Sequence, residues 1–261
     1  MSTEIHPSAV IEPGAQIGAG CRIGPFCHVG PDVMLAEGVE LKSHVVVTGD
    51  TVLGADTIVF PFSVIGEIPQ DLKYDGAATR LRIGKRNRIR EHVTMNTGTT
   101  GGGGVTRIGD DGLFMAGCHI AHDAQVGDRV IVVNSSAIAG HCVIEDDVII
   151  GGLSGVHQWV RIGQGAIIGA LSMVAKDVIP YGLVHGPRAQ LEGLNLVGLK
   201  RKGVDRTDIT ALRAALQTLR QGEGTFHDRA ARLAEESESE YVDRLVAFVL
   251  GASDRQFLTP V

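Results

Sequence analysis

Residues 11–35 read IEPGAQIGAGCRIGPFCHVGPDVML, and a large aliphatic residue occupies every sixth position of this stretch. The same spacing extends outward over most of the first 179 residues, with a slip of one residue before Ile108. A small residue follows four positions after each large one, and a glycine often follows the large one directly. The pattern comprises 26 units, whose large residues are Ile5, Ile11, Ile17, Ile23, Val29, Leu35, Leu41, Val47, Leu53, Val59, Ile65, Ile83, Ile89, Met95, Ile108, Phe114, Ile120, Val126, Val132, Ile138, Ile144, Ile150, Val156, Ile162, Ile168 and Val174.

A period of six fits neither an α-helix nor one long strand, but it fits a short strand followed by a turn. Three such units close a triangular coil, and the coils stack at the strand spacing of roughly 4.8 Å. The hexapeptide repeat therefore predicts a parallel β-helix of about nine coils and roughly 40 Å. Residue i should lie directly under residue i+18. We expect the glycine beside each large residue to supply permissive backbone angles for the turn.

Two segments carry no repeat, residues 67–82 and residues 97–107. Both are predicted to be loops that leave the prism, and excursions from a regular solenoid tend to line its binding face. The glycine run 101–104 lacks the Lys-Ser/Thr ending of a phosphate loop, so it is interpreted as a flexible tip.

The composition changes near residue 190 to one rich in Leu, Ala, Arg and Glu. We expect a β-helix domain over 1–189 and a C-terminal helical domain over 190–261. A second helical stretch is predicted over 227–249, with a break in the acidic segment 235–240. The first helix is predicted to end near Gly222, and its apolar positions follow helical spacing: Ile209, Leu212, Leu216 and Leu219.

The composition excludes several classes of protein. The chain has 261 residues, a formal charge of −6 and 4% aromatic residues, which suits narrow coils with small interiors. No apolar stretch approaches the ~20 residues of a membrane span. Because the repeat starts at Ile5, no room is left for a signal peptide, and we expect a cytoplasmic protein without stable membrane insertion or a nucleic-acid partner. The four cysteines fall at the small inward position, which predicts inert buried thiols.

The densest polar group of the repeat is His119-Ile120-Ala121-His122-Asp123. The 18-residue rule stacks His122, Gly140 and Gln158 in one column, roughly 4.8 Å apart. His122 should face outward and serve as a general base, and Asp123 should orient its ring. The backbone N–H of Gly140 is a candidate donor to an oxyanion. The column holds no Ser or Cys nucleophile, which favours direct transfer. Two further histidines flank it, His141 and His157.

Several longer runs resemble the UDP-N-acetylglucosamine 3-O-acyltransferase family, within the hexapeptide-repeat acyltransferase superfamily. The resemblance covers essentially the whole chain, and its most specific parts are the QDLKY and HIAHD motifs. The runs are IGPFCHVGP (23–31), LKSHVVV (41–47), IGEIPQDLKY (65–74), NRIREHVT (87–94), HIAHDAQVG (119–127) and GLKRKG (198–203).

This resemblance implies a left-handed helix and a homotrimer with active sites at the subunit interfaces. It implies transfer of a 3-hydroxyacyl chain from acyl carrier protein to the 3-position of UDP-N-acetylglucosamine, or of its 3-amino analogue. That reaction is the first step of lipid A synthesis in Gram-negative bacteria. No cofactor or metal is expected beyond the phosphopantetheine of the carrier protein, which holds the acyl donor.

The family's site residues carry over by motif. His122 is then the general base, Asp123 its partner and Gly140 the oxyanion donor. Asp71 and Lys73 contact the nucleotide sugar. The cleft is lined by His119, His141 and Gln158, with His157 beside them, and the UDP end is held by Asn195 and Arg201.

Four positions depart from the family pattern. Asn96-Thr97 stands where His-Arg is frequent, and Val197 stands where Glu is frequent, and both affect expected nucleotide-sugar contacts. Ala170 replaces the second glycine of a Gly-Gly pair found in members that use long acyl chains. Because Ala170 is third in its hexapeptide, as His122 is, we expect it to face the same cleft wall and to act as the acyl-chain ruler.

Three other interpretations remain open from the sequence. The group of His119, His122 and His141 would suit a γ-class carbonic anhydrase, which binds zinc between subunits. A sugar N-acyltransferase of the same superfamily is a closer rival, although such enzymes usually carry a separate N-terminal domain. A non-catalytic solenoid would leave the two loops and the polar column unexplained.

Overall fold

The computed structural model of the protein describes residues 2–253 and 255–260. The chain first forms 26 short strands, and the large residue of every predicted unit lies in one of them. They are β1 (Glu4–Ile5), β2 (Val10–Ile11), β3 (Gln16–Ile17), β4 (Arg22–Ile23), β5 (His28–Val29), β6 (Met34–Leu35), β7 (Glu40–Leu41), β8 (Val46–Val47), β9 (Asp50–Leu53), β10 (Ile58–Val59), β11 (Val64–Glu67), β12 (Arg80–Ile83), β13 (Arg88–Ile89), β14 (Thr94–Asn96), β15 (Val105–Ile108), β16 (Leu113–Phe114), β17 (His119–Ile120), β18 (Gln125–Val126), β19 (Ile131–Val132), β20 (Ala137–Ile138), β21 (Val143–Ile144), β22 (Ile149–Ile150), β23 (Gly155–Val156), β24 (Arg161–Ile162), β25 (Ile167–Ile168) and β26 (Met173–Val174).

These strands form the three faces of a left-handed parallel β-helix, as predicted. The first sheet runs from β1 to β25, the second from β2 to β26 and the third from β3 to β24, each taking every third strand. Paired residues are 18 apart in regular coils, as in Val156↔Val174. The interval widens to 30 at Ile58↔Arg88 and to 25 at Arg88↔Leu113, because the two loops leave the prism there.

The large residues fill the interior, and all of them from Ile23 onward are buried. Ile5 is 46% exposed because no coil lies beneath the first one. The four cysteines are free and buried, as predicted. Burial raises the pKa of the Cys118 thiol to about 11 and that of Cys142 to about 12, so neither forms a reactive thiolate near neutral pH.

The expected role of the glycine after each large residue is wrong, except at Gly66, whose φ is 88°. Left-handed backbone angles occur two positions later, for example at His141, where φ is 61°. The glycine is needed because adjacent coils approach closely. A Cβ atom on Gly109 would lie 2.6 Å from the carbonyl carbon of Gly127, and one on Gly163 would lie 2.4 Å from the nitrogen of Pro180.

Both predicted loops leave the prism, but strands occupy their edges. β11 continues to Glu67, β12 begins at Arg80 and β15 begins at Val105, because Arg80 pairs with both Asp50 and Val105. The first excursion is therefore residues 68–79, and the second excursion is residues 97–104. The glycine run of the second excursion forms a 3-10 turn over Thr100–Gly102 rather than a featureless tip.

The C-terminal part begins with an antiparallel hairpin, β27 (Gly182–His185) and β28 (Gln190–Leu194), which extends the first sheet. Four helices follow, and the chain breaks between the last two within the acidic segment, as expected. The domain division at residue 189 stays a prediction, since this hairpin spans it. No helix in the described part of the chain is both long and apolar enough to cross a bilayer. The helices are α1 (Leu196–Arg201), α2 (Arg206–Arg220), α3 (Phe226–Glu236) and α4 (Glu240–Leu250).

The C-terminal end of the chain is bonded to a buried ion pair that lies within the last coils of the prism. The Arg161 side chain donates to Asp177, which is fully buried, at 2.8 Å. The Ser253 hydroxyl also donates to Asp177, at 2.7 Å. The Ser253 bond therefore holds the C-terminal end of the chain against the last coils.

Candidate functional site

The predicted column forms at the corner where the chain leaves the second sheet for the third. His122, Gly140 and Gln158 follow β17, β20 and β23 at equivalent positions. The His141 N–H donates to the His122 carbonyl at 3.0 Å, which joins the two coils. A Cβ atom on Gly140 would lie 2.4 Å from Cε1 of His122, so the imidazole occupies the space that a side chain at 140 would need.

His122 points away from the core, as predicted, yet it is only 4% exposed. The first excursion covers it, and Asp71 Oδ2 lies 4.0 Å from His122 Nε2. His122 Nδ1 lies 2.9 Å from Asp123 Oδ2. A carboxylate can only accept, so this bond places the ring proton on Nδ1 and leaves the lone pair of Nε2 available as a base.

Asp123 is held by partners that the sequence did not indicate. Its carboxylate accepts from the backbone N–H of Thr99 at 2.9 and 3.0 Å and from the Thr99 hydroxyl at 2.5 Å. Its own N–H donates to the Thr106 hydroxyl at 2.8 Å. Gly102 packs against the carboxylate, since a Cβ atom there would lie 2.1 Å from Asp123 Cγ. The glycine run therefore lets the second excursion close over Asp123.

Two further predicted histidines adjoin this pair. His141 Nδ1 lies 3.7 Å from Asp123 Oδ2, and its ring meets that of His122 edge-on. Burial lowers the pKa of His141, against the opposing charge of Asp123. His119 Nδ1 shares a 2.8 Å hydrogen bond with the Thr94 hydroxyl. Burial, and then the charge of His122, lower the pKa of His119.

Trp159, the only tryptophan of the chain, also belongs to this corner. Its indole stacks on the His141 ring, with centroids 3.9 Å apart and planes 5° apart. It is 53% exposed, so its other face is open. Trp159 lies 18 residues after His141, so the stacking rule applied to His141 would have placed Trp159 beside it.

A cleft of about 370 Å³ lies beside His122 on the outer face of the second sheet. Its floor is a strip of outward-facing residues in register on four successive strands, named here the acyl strip after the chain that the resemblance implies: His119, Ala137, Gly155 and Met173. Its other walls include Gly140, His157, Gln158 and Gln70. The middle of the strip is apolar and small, which suits an alkyl chain.

A second cavity of about 340 Å³ lies between the two excursions. Asp71 and Lys73 line it together with Tyr74, Thr99 and the stacked pair of His141 and Trp159. The structure thus brings Asp71 and Lys73 of the QDLKY motif to the histidine cluster, as expected.

The cap residues lie apart from this group within the single chain. Asn195 caps α1, with its oxygen accepting from Gly198 N at 2.9 Å and its nitrogen donating to Gly165 O at 3.0 Å. Arg201 is exposed at the end of α1. Neither lines the two cavities beside His122 and His141. Their assignment to the UDP end stays a prediction.

Ala170 does not lie on the same wall as His122, contrary to the prediction. The two residues are 48 apart, which is two full coils and two further corners, so Ala170 lies between the first and second sheets. It is exposed there and does not line the cleft. Its role as a chain ruler stays a prediction that needs a neighbouring protomer.

Two departures from the family pattern join the excursions to each other. The Asn96 side-chain nitrogen donates to the carbonyls of Glu67 and Ile68 at 3.2 and 3.0 Å. The Thr97 and Thr79 hydroxyls lie 2.9 Å apart and are buried. Both residues act on the excursion that carries Asp71 and Lys73. The third departure, Val197, is exposed.

The zinc interpretation finds only partial support in the geometry. Within residues 2–253 and 255–260, potential ligand atoms of His122, Asp123 and His141 lie within 4.8 Å of one another. His119, which that interpretation required, is not among them. The Asp123 carboxylate is already occupied by donors from Thr99 and His122, which disfavours its use as a ligand.

Known proteins resemble the chain over most of its length. Residues 177–258 match the family described as "Udp N-acetylglucosamine O-acyltransferase; Domain 2", and residues 2–31, 14–49 and 141–176 match "Bacterial transferase hexapeptide (six repeats)". A relative from Paracoccus denitrificans, named "Acyl-[acyl-carrier-protein]--UDP-N-acetylglucosamine O-acyltransferase", is 65% identical over 78% of this chain and 77% of its own. One of the same name from Agrobacterium fabrum is 44% identical over 78% and 76%.

Solved structures agree with these relatives. A crystal structure of a UDP-N-acetylglucosamine acyltransferase is 40% identical, with a TM-score of 0.95 and 99% of each chain covered. The enzyme of that name from Campylobacter jejuni is 39% identical, with a TM-score of 0.93 over 99% of this chain and 100% of its own. This agreement in sequence and fold shows that the chain belongs to the UDP-N-acetylglucosamine O-acyltransferase family.

Proposed function

We propose that this protein transfers a 3-hydroxyacyl chain from acyl carrier protein to the 3-position of UDP-N-acetylglucosamine, or of its 3-amino analogue, as the first step of lipid A biosynthesis. The names of the relatives support the two substrates. The observation that carries the chemistry is the hydrogen bond from His122 Nδ1 to Asp123, which leaves Nε2 as a base at the edge of the cleft.

The proposed transfer is direct. His122 Nε2 removes the proton of the sugar hydroxyl as its oxygen attacks the thioester carbonyl, and the imidazolium is stabilised by Asp123. The tetrahedral intermediate then expels the pantetheine thiolate, which receives the proton from His122. Among the described residues, the Gly140 N–H has no hydrogen-bond acceptor, so it is available to the oxyanion. No step requires a cofactor or a metal.

The two cavities suggest where the substrates bind. The cavity between the excursions suits the nucleotide sugar, with Asp71 and Lys73 as polar contacts. The acyl strip suits the acyl chain, with Ala137 and Gly155 as its floor and Met173 at its far end. The imidazole of His122 lies between the two regions, where the acceptor oxygen and the thioester must meet.

A homotrimer with active sites between protomers is part of the proposal. An exposed apolar column at the corner between the first and second sheets supports a contact with other copies of the chain. Ala170 adjoins this corner, so a trimer would bring it to an interface, while the assignment of Asn195 and Arg201 to the UDP end rests on the family resemblance. The apolar column consists of Phe26, Phe62, Leu153 and Leu171, with His44 and His92 stacked against the two phenylalanines.

A cytoplasmic location stays a prediction.

The proposal is tested by incubating the protein with a ladder of 3-hydroxyacyl carrier proteins and either UDP-N-acetylglucosamine or its 3-amino analogue. Mass spectrometry of the sugar and titration of the released thiol should show one acyl group transferred per thiol. Thiol release without acyl-sugar would indicate a hydrolase and refute the function. Bound zinc at about one ion per chain, with CO2 hydration activity, would favour the carbonic anhydrase alternative.

A further inference from the structure

We propose that Thr99 is a positioning residue that sets how tightly His122 holds a proton, acting through Asp123. Thr99 is the residue of the second excursion that faces the carboxylate, and it presents both its backbone N–H and its hydroxyl to it. The hydroxyl contact of 2.5 Å is the shortest bond to Asp123, shorter than the 2.9 Å bond from His122. This inference rests on the proposed role of His122 as the base.

The three donors compete for the same oxygen. Oδ2 of Asp123 receives the Thr99 hydroxyl, the Thr99 N–H and the His122 ring nitrogen. Asp123 is 3% exposed and Thr99 is 7% exposed, so water does not screen these bonds. A hydrogen bond to a charged group withdraws negative charge from it. The Thr99 hydroxyl therefore reduces the charge with which Asp123 can stabilise a protonated His122.

The backbone around Thr99 is built to hold this contact. A Cβ atom on Gly98 would lie 2.6 Å from Asp123 Oδ1, so only glycine lets the chain pass so close. The Thr99 carbonyl accepts from Gly104 N at 2.8 Å and closes the turn. Gly98 N donates to Arg80 O at 3.2 Å, which ties the contact to the end of the first excursion. The carboxylate thus has one fixed orientation toward His122.

The consequence is a specific pH effect. A general base must be unprotonated to act, so activity falls on the acid side as His122 gains a proton. The other ionisable groups that face His122 are Asp71, His119 and His141, and all three are unchanged in the variants below. In Thr99→Val the hydroxyl is lost while the shape is kept, and the freed charge of Asp123 favours the imidazolium. The acid limb of kcat/KM should move to higher pH by about half a unit to one unit, a three- to tenfold change in proton affinity.

Matched variants separate this effect from a loss of structure. Thr99→Ser keeps the hydroxyl and should retain the wild-type limb. Thr106→Val removes an equally buried hydroxyl that contacts the backbone N–H of Asp123, not its carboxylate. It should lower the melting temperature without moving the limb. If Thr99→Val does not fold, Thr99→Ala carries the same prediction.

The profiles are measured with saturating acyl carrier protein substrate and varied UDP-sugar, on variants whose circular dichroism matches wild type. A limb that moves in Thr99→Val but not in Thr99→Ser or Thr106→Val supports the inference. An unmoved limb in Thr99→Val, or an equal shift in Thr106→Val, overturns it. Absence of transfer by the wild-type protein would instead refute the proposed function, so the two failures are distinguishable.

Discussion

Replacing Met173 with glycine should lengthen the acyl chain that the protein prefers. Met173 is the last residue of the acyl strip, one strand beyond Gly155, and in the described part of the chain the second sheet has no further strand. Its side chain is 57% exposed and lines the cleft, so it closes the end of the strip without supporting the core. We therefore expect the change to alter specificity with little effect on stability.

The magnitude follows from the coil spacing. One strand step is roughly 4.8 Å, and an extended alkyl chain with C–C bonds of about 1.5 Å advances roughly 1.25 Å per carbon. Removing the Met173 side chain therefore frees room for up to about four carbons. Discrimination of one methylene is worth ~1–3 kcal/mol, or roughly 10–200-fold in kcat/KM. A donor two to four carbons longer than the wild-type optimum should gain at least ~10-fold relative to that optimum.

The assay is competition between carrier-protein donors of graded length, read by mass spectrometry of the acylated sugar. Met173→Leu conserves volume and should keep the wild-type profile. Ala170→Gly tests the other candidate ruler, at the corner between the first and second sheets. If Ala170→Gly lengthens the preferred chain and Met173→Gly does not, the acyl strip is not the chain site and the reasoning fails.

Three further outcomes are expected. His122→Ala should lower kcat by at least ~100-fold, the usual value of general base catalysis, and a variant that retains a tenth of wild-type turnover would contradict the assignment. Lys73→Ala should raise KM for the UDP-sugar more than it lowers kcat, because an exposed loop ammonium acts as a point charge; a fall in kcat alone would point to a chemical role. Burial lowers the pKa of both His119 and His141, so the unfolded chain binds more protons and stability should fall as pH drops through the ordinary histidine value of ~6.5. The free energy of unfolding, measured with urea at a series of pH values, should depend less steeply on pH in His119→Gln than in wild type. An unchanged pH dependence would mean that His119 does not contribute.

The C-terminal part shows how far local patterns reach. The apolar spacing of Ile209, Leu212 and Leu219 predicted α2, and those side chains are buried in it. The acidic segment predicted the break before α4. The hairpin of β27 and β28 was missed, because a single antiparallel pair at the end of a solenoid has no repeat to announce it.

The sequence by itself determined the β-helix, because a six-residue period forces every large residue inward and sets the 18-residue stacking. That rule brought His122, Gly140 and Gln158 into one column, and side-chain chemistry then made His122 and Asp123 the candidates for the base and its carboxylate partner. It held there because no excursion interrupts the chain between residues 108 and 174.

Only the tertiary structure decided what surrounds the column. Thr99 reaches Asp123 across 24 residues because the second excursion folds back over it, and irregular segments have no period from which such a contact could be predicted. Ala170 was misplaced because hexapeptide position fixes which way a side chain points but not which corner it occupies. The burial of His122 likewise depends on the first excursion, whose path is set by bonds from Asn96 and Thr97 rather than by the repeat.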